Sequence, residues 1–281
     1  MTIQSTRAEK FKHLHARPGL FALPNPWDAG SARMLEALGF EALATTSAGF
    51  AFSLGKPDAE GAVNRESTLV NVRAIVDATS LPVSADLENG FGDAPATCAE
   101  TVQLAARAGL VGGSIEDATG RADDPIYPFA LAVERVAAAV EAARAQPFPF
   151  VLTARAENLI NGRADLEDTI RRLQAFADAG ADVLYAPGLK TRGDIEAVVK
   201  AVAPKPVNIV MGLSGAQFSL DELAALGVKR VSLGSSLARA AYGAFLRAAR
   251  EIRNDGTFGF CEQAVPYAEI NAMFKPPHAR T

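Results

Sequence analysis

Eight short apolar runs, each bounded by proline, glycine or a charged residue, constrain this chain more than any other feature. They occupy residues 20–24, 42–47, 82–86, 112–116, 150–155, 183–186, 206–211 and 230–234. Each has the length of a strand buried on both faces, as the strands of a parallel sheet are. Between them lie Ala-rich stretches such as 96–109 and 131–146, whose apolar residues recur three and four apart, as in amphipathic helices. A joint of helix, glycine and strand is used four times, at Gly39, Gly109, Gly180 and Gly227. Repeated βα units leave a closed barrel or an open doubly wound sheet. Eight units, with no GxGxxG after the first run, favour a (β/α)₈ TIM barrel over about residues 19–253. A helix at about 5–16 precedes it and a C-terminal extension, 254–281, follows. Nothing in the 281 residues marks a second domain, so a single barrel domain is expected.

The charge pattern removes several classes of partner. The formal net charge is −4, and Lys and Arg are scattered, which argues against nucleic acid or an anionic membrane surface. Cys98 and Cys261 lie far apart and form no CxxC, so neither a disulfide scaffold nor a zinc site is suggested. The N-terminus lacks an apolar core segment, and no uninterrupted apolar stretch reaches membrane-spanning length. A cytoplasmic globular protein is expected.

In a (β/α)₈ barrel the chemistry lies at the C-terminal ends of the strands. Asp86 and Glu116 end the third and fourth runs, which are neighbours in such a barrel, and Glu88 follows two residues after Asp86. Two carboxylates about 4 Å apart repel by roughly 4 kcal/mol at an effective dielectric near 20, so three together need a cation or raised pKa values. An all-oxygen set selects a hard ion, with Mg²⁺ the first choice and Mn²⁺ its substitute. The alternative is that these acids point outward as loop solubilisers or helix caps. Arg155 closes the fifth run, where it can clamp a substrate carboxylate or pair with Glu116 or Glu157. The small residues Ser47, Ala48 and Gly49 suit either an anion-binding set of N–H groups or a tight turn. Asn208, inside the seventh run, is a ligand or a satisfied structural amide. Segment 117–127 is polar and unpatterned, as a lid or a surface loop is. None of His13, His15 and His278 is placed to act as a base.

Five segments, TTSAGFAFSLGKPD (45–58), SADLENGFGD (84–93), SIED (114–117), LTARAE (152–157) and PVNIVMG (206–212), together resemble the isocitrate lyase/phosphoenolpyruvate mutase superfamily. The second is the most specific, being similar to that family's D-x-[DE]-x-G-[YF]-G signature after strand three. The resemblance extends over residues 7–250. It implies that Asp86 holds Mg²⁺, with Glu88, Glu116 and Asp58 around it directly or through water. It implies that Ser47, Ala48 and Gly49 bind a substrate carboxylate, and that Arg155 and Asn208 bind oxygens of a 2-oxo acid or its enolate. Glu116, Asp58 or a metal-held water would be the acid or base. It also implies an eighth helix exchanged between subunits of a dimer or tetramer. The family's isocitrate and methylisocitrate lyases carry a K-[RK]-C-G-H motif after strand four, where this chain has ATGRADD. Those lyases place a glutamate after strand six, where this chain has Pro187-Gly188. The lysine- and asparagine-bearing loop of the phosphonomutases is missing too. The expected function is therefore that of a divergent member: a C–C lyase, decarboxylase or hydrolase acting on a small 2-oxo or 2-hydroxy carboxylate. P–C bond chemistry on a phosphonate, or a barrel that binds 2-oxo acids without turnover, are the alternatives.

Overall fold

A computed structural model describes residues 2–58, 61–212 and 217–275. The eight apolar runs form β1 (Phe21–Leu23), β2 (Leu43–Ala44), β3 (Val83–Asp86), β4 (Gly112–Glu116), β5 (Val151–Arg155), β6 (Val183–Tyr185), β7 (Val207–Val210) and β8 (Arg230–Ser232). All pair in parallel, in the order β1-β8-β7-β6-β5-β4-β3-β2. Between β1 and β2 the Ala44 N–H donates to the Pro24 carbonyl at 3.1 Å, which draws the two ends of the sheet together. The chain is a (β/α)₈ TIM barrel.

Helix α1 (Ile3–Ala16) comes first, and α2 (Ala29–Ala37) joins β1 to β2. After β2 come α3 (Ser47–Ser53) and α4 (Arg65–Ala78), and then α5 (Pro95–Arg107), α6 (Phe129–Arg144), α7 (Leu166–Asp178), α8 (Arg192–Val202) and α9 (Leu220–Ala225), one after each of β3 to β7. Helix α10 (Ser236–Asp255) follows β8, and α11 (Tyr267–Phe274) lies in the C-terminal extension. The four glycine joints all take positive φ, and at Gly109 a side chain would also meet Val76 Cγ1 at 2.8 Å.

Helix α1 begins where the Thr2 side chain caps the Ser5 N–H, and ends at Arg17, whose extended backbone is what a following proline imposes. Its face of Ala8, Phe11 and Leu14 packs against Phe21, Val111, Val151 and Val183, all at the N-terminal ends of strands. The helix therefore plugs the bottom of the barrel. Phe11 and Leu14 are fully buried there, worth roughly 1.5–3 kcal/mol each.

Two elements differ from the sequence expectation. The run at 42–47, read as one strand, divides, because the Thr46 hydroxyl accepts the Gly49 N–H at 3.2 Å and starts α3 at Ser47. The C-terminal extension holds a helix, and it returns to the barrel where Arg33 Nη1 donates to the Phe274 carbonyl at 2.7 Å. Among the described residues, no helix is long and apolar enough to cross a membrane.

Candidate active site

Asp86, Glu116 and Arg155 are the last residues of three adjacent strands, with Ser114 opposite Asp86 and Arg155 opposite Glu116 in register. That places all three side chains at the mouth of the barrel. Arg155 there binds three carboxylates: Nη1 donates to Asp86 Oδ1 at 2.9 Å, Nε donates to Glu157 Oε1 at 2.7 Å, and Nη2 lies 3.1 Å from Glu116 Oε2. Burial opposes the charge on Arg155, but Glu157, Glu116 and Asp86 more than offset it, so it stays protonated. The ring of Tyr185, opposite Arg155 on β6, packs against the guanidinium with its centroid 5.1 Å away.

Asp86 is held from a second side by α3, where the Ser47 hydroxyl donates to Asp86 Oδ2 at 2.9 Å. The start of a helix also favours a carboxylate electrostatically. Glu88 is held differently. It takes a left-handed φ of 49°, and its own N–H donates to Asp86 Oδ1 at 3.2 Å. Its carboxylate makes no hydrogen bond to the described residues. Burial, then the charges of Asp86 and Asp58, push it up to about 8, against the pull of Arg155. Burial likewise raises Glu116 well above the carboxylate range, with Arg155 opposing and Glu157, Asp86 and Glu88 adding to it. The site is an acid-rich mouth with one central cation.

Ser47, Asp58, Glu88, Glu116, Arg155 and Glu157 line a cleft of about 1070 Å³, and Asp86 lies against it through Ser47 and Arg155. Its outer wall is the 117–127 segment, folded as a short hairpin through the antiparallel bridge of Ala118 with Ile126. Asp117 is turned inward, accepting the Glu157 N–H at 2.7 Å and Arg172 Nη1 at 3.2 Å. It ties β4 to β5 rather than facing the cleft.

The remaining candidates sit elsewhere. Asn208 is buried inside the barrel, where its Oδ1 accepts from Arg230 Nε and its Nδ2 donates to Ser232 Oγ, both at 2.9 Å. Ala48 and Gly49 do not line the cleft, and the Gly49 N–H is bonded to Thr46. Tyr185 and Glu157 complete the surroundings of Arg155. Tyr185 has a sequence signal, a polar aromatic at the end of an apolar run.

The three expected metal ligands do not form a closed cage. Among the described residues, no group of three or more Asp, Glu, His or Cys side chains stands together as a ready metal centre, and Arg155 separates Asp86 from Glu116. The donors nevertheless fit a hard cation. Mg²⁺ is commonly held by one or two carboxylates and completes its shell with water and substrate oxygens. Asp86 and Glu88, the latter without a hydrogen bond to its carboxylate among the described residues, offer that chemistry.

Residues 11–253 match the family model described as phosphoenolpyruvate phosphomutase. The 2-methylisocitrate lyase of Salmonella typhimurium strain LT2 is 32% identical over 240 residues, covering 82% of this chain and 79% of the lyase. Among solved structures, a Burkholderia cenocepacia J2315 protein described as a candidate lyase/mutase is 64% identical, with a TM-score of 0.95 over 98% of each chain. A phosphonopyruvate hydrolase solved with oxalate and Mg²⁺ is 28% identical, with a TM-score of 0.82 over 98% of this chain and 95% of the other.

Proposed function

This chain belongs to the phosphoenolpyruvate phosphomutase family, within the isocitrate lyase/phosphoenolpyruvate mutase superfamily, and from that membership we propose a Mg²⁺-dependent enzyme that works through the enolate of a small 2-oxo acid. The favoured reaction is C–C cleavage of a 2-hydroxy di- or tricarboxylate, or decarboxylation or hydrolysis of an oxaloacetate-like compound. The observation that carries this reading is Arg155, held by Asp86, Glu116 and Glu157 beside Glu88, whose carboxylate has no hydrogen bond among the described residues.

Asp86 would hold Mg²⁺, with Glu88 and Glu116 in support. The bound ion would supply Lewis acidity toward the 2-oxo group. Arg155 would turn its two Nη groups from Asp86 and Glu116 to a substrate carboxylate, a bidentate match of fork to fork. The same guanidinium would stabilise negative charge as it develops on the enolate. Ser47 would keep Asp86 oriented through its 2.9 Å hydrogen bond. Glu116 and Asp58, both lining the cleft, are the proton carriers this chain offers. P–C cleavage of a phosphonate is the second reading, favoured by the likeness to a phosphonopyruvate hydrolase.

An assay of 2-hydroxy and 2-oxo di- and tricarboxylates plus phosphonopyruvate, with and without Mg²⁺, tests the function directly. Asp86→Ala should weaken Mn²⁺ binding at least roughly 100-fold, the upper end of what losing a supporting contact produces, and should abolish turnover. Unchanged metal affinity and turnover in that variant would sink the proposal. Calorimetric binding of 2-oxo acids without consumption of any of them would replace the enzyme with a binding protein.

A further inference from the structure

Arg135, on α6, lies outside the cleft and is only 1% exposed. Its guanidinium is committed to main-chain carbonyls: Nη1 donates to Gly92 at 2.6 Å and to Asp93 at 2.5 Å, and Nη2 donates to Asn89. Those carbonyls belong to the turn after β3, in which Glu88, Gly90 and Phe91 all take left-handed φ, at 49°, 79° and 62°. Two of the three carry side chains, and such conformations persist only where the surroundings over-determine them. Burying a guanidinium is costly unless its charge is matched, and here three carbonyl dipoles converge on it.

The same guanidinium lies over the ring of Tyr127, 4.0 Å from its centroid. The Tyr127 hydroxyl donates to Asp93 Oδ1 at 2.5 Å and accepts from Asn89 Nδ2 at 3.2 Å. Tyr127 ends the hairpin that walls the cleft, and its N–H donates to the Asp117 carbonyl at 2.9 Å. One side chain thus holds the turn that presents Glu88 and, through Tyr127, the hairpin facing it.

We propose that Arg135 is the positioning residue of the metal site: it fixes the 88–93 turn so that Glu88 faces the cleft, and locks that turn and the 117–127 hairpin into one wall. It touches neither metal nor substrate. The inference rests on the Mg²⁺-dependent reading of the site.

The test compares the full-length wild type with Arg135→Met, Arg135→Lys, Tyr127→Phe and Val136→Ala. Mn²⁺ alone is titrated by electron paramagnetic resonance, and backbone amide exchange is followed by mass spectrometry. Arg135→Met should weaken Mn²⁺ binding roughly 10- to 100-fold and accelerate exchange in 88–93 and 118–127 together. Arg135→Lys keeps a charge without the fork and should recover only part of the affinity. Tyr127→Phe should free the hairpin alone. Val136→Ala, which opens a core cavity one residue away, should lower the melting temperature yet leave Mn²⁺ binding unchanged. If Arg135→Met does not fold, the Lys variant decides the affinity question in its place. A folded Arg135 variant with wild-type Mn²⁺ affinity overturns the proposal. A wild type that binds no Mn²⁺ overturns the metal reading instead, and unchanged exchange in the Arg135 variants then overturns the clamp separately.

Discussion

Arg155 meets three carboxylates at the barrel mouth, whereas Arg230, at the start of β8, meets none among the described residues. Arg230 donates instead to Asn208 Oδ1, to Thr153 Oγ1 and, at 3.2 Å, to His15 Nε2 on the plugging helix. Burial lowers its pKa to about 9. Because His15 Nε2 accepts from this cation, Nδ1 must carry the ring proton, and it donates to the Phe11 carbonyl at 2.8 Å. Burial, then the charges of Arg230 and Lys229, hold His15 down to about 3. An unfolded histidine binds its proton near 6.5, so between pH 3 and 6.5 the unfolded chain takes up more protons than the folded one. Stability is therefore fully present above 6.5 and falls as pH drops, by about 1.4 kcal/mol per unit. From pH 7 to pH 5 the His15 contribution is a loss of about 2 kcal/mol in unfolding free energy. His15→Gln can make the same two hydrogen bonds without titrating, and should remove that part of the slope. Urea denaturation at the two pH values checks it, and identical slopes in both proteins would refute the assignment. Asn208 belongs to this structural network. Its partner Arg230 stands 22 residues away on β8, a pairing that no local pattern in an apolar run can indicate.

At the scale of elements, α1 is an integral closure of the barrel. Phe11 fills the space above Gly112, where a β-carbon would come within 2.9 Å of Phe11 Cε1. Phe11→Ala should cost about 3–5 kcal/mol in unfolding free energy, as loss of a buried ring does. A loss below about 1 kcal/mol would show that the plug packs loosely enough to collapse around the cavity. The strands were legible because each is buried on both faces and reads as an unbroken apolar run. Two features escaped that logic. Hydroxyl residues at 45–47 extend a strand by propensity, yet Thr46 satisfies the N-terminus of α3 with its own side chain. Alternation would put Glu88 on the face of Asp86, opposite the wholly buried Leu87, but β3 ends at Asp86 and the strand period no longer governs residue 88. A left-handed turn begins there instead, and it is this turn that sets how Glu88 lines the cleft. Such turns depend on tertiary clamps, which leave no local pattern to read.

At the scale of the whole molecule, α10 is a long helix that the barrel leaves largely uncovered. Of its 20 residues only Ala238 is buried, and Phe245 is 67% exposed beside a half-exposed Leu246 and Ile252. Phe258 and Tyr267 extend the exposed apolar surface into the C-terminal extension. Helices α2 and α4 to α9 bury apolar residues in the core around the strands, whereas α10, about 30 Å long at 1.5 Å per residue, projects its apolar side chains into solvent. Exposed apolar side chains gathered on one helix are a surface that a protein partner can cover. Its amphipathic spacing was legible, but hydropathy records only that a face must be covered, never which copy of the chain covers it. We expect a homo-oligomer in which α10 of one chain packs on the barrel of another, so that the eighth helix is exchanged. Sedimentation equilibrium should give a dimer or tetramer at micromolar concentration. Phe245→Glu combined with Leu246→Glu would place two charges in that interface, each uncompensated and costly to desolvate. The double variant should sediment as a smaller species and melt at a lower, less concentration-dependent temperature than the wild type. A wild type that is monomeric across the concentration range, with a melting temperature independent of dilution, would show instead that α10 is stable in water with its apolar face bare.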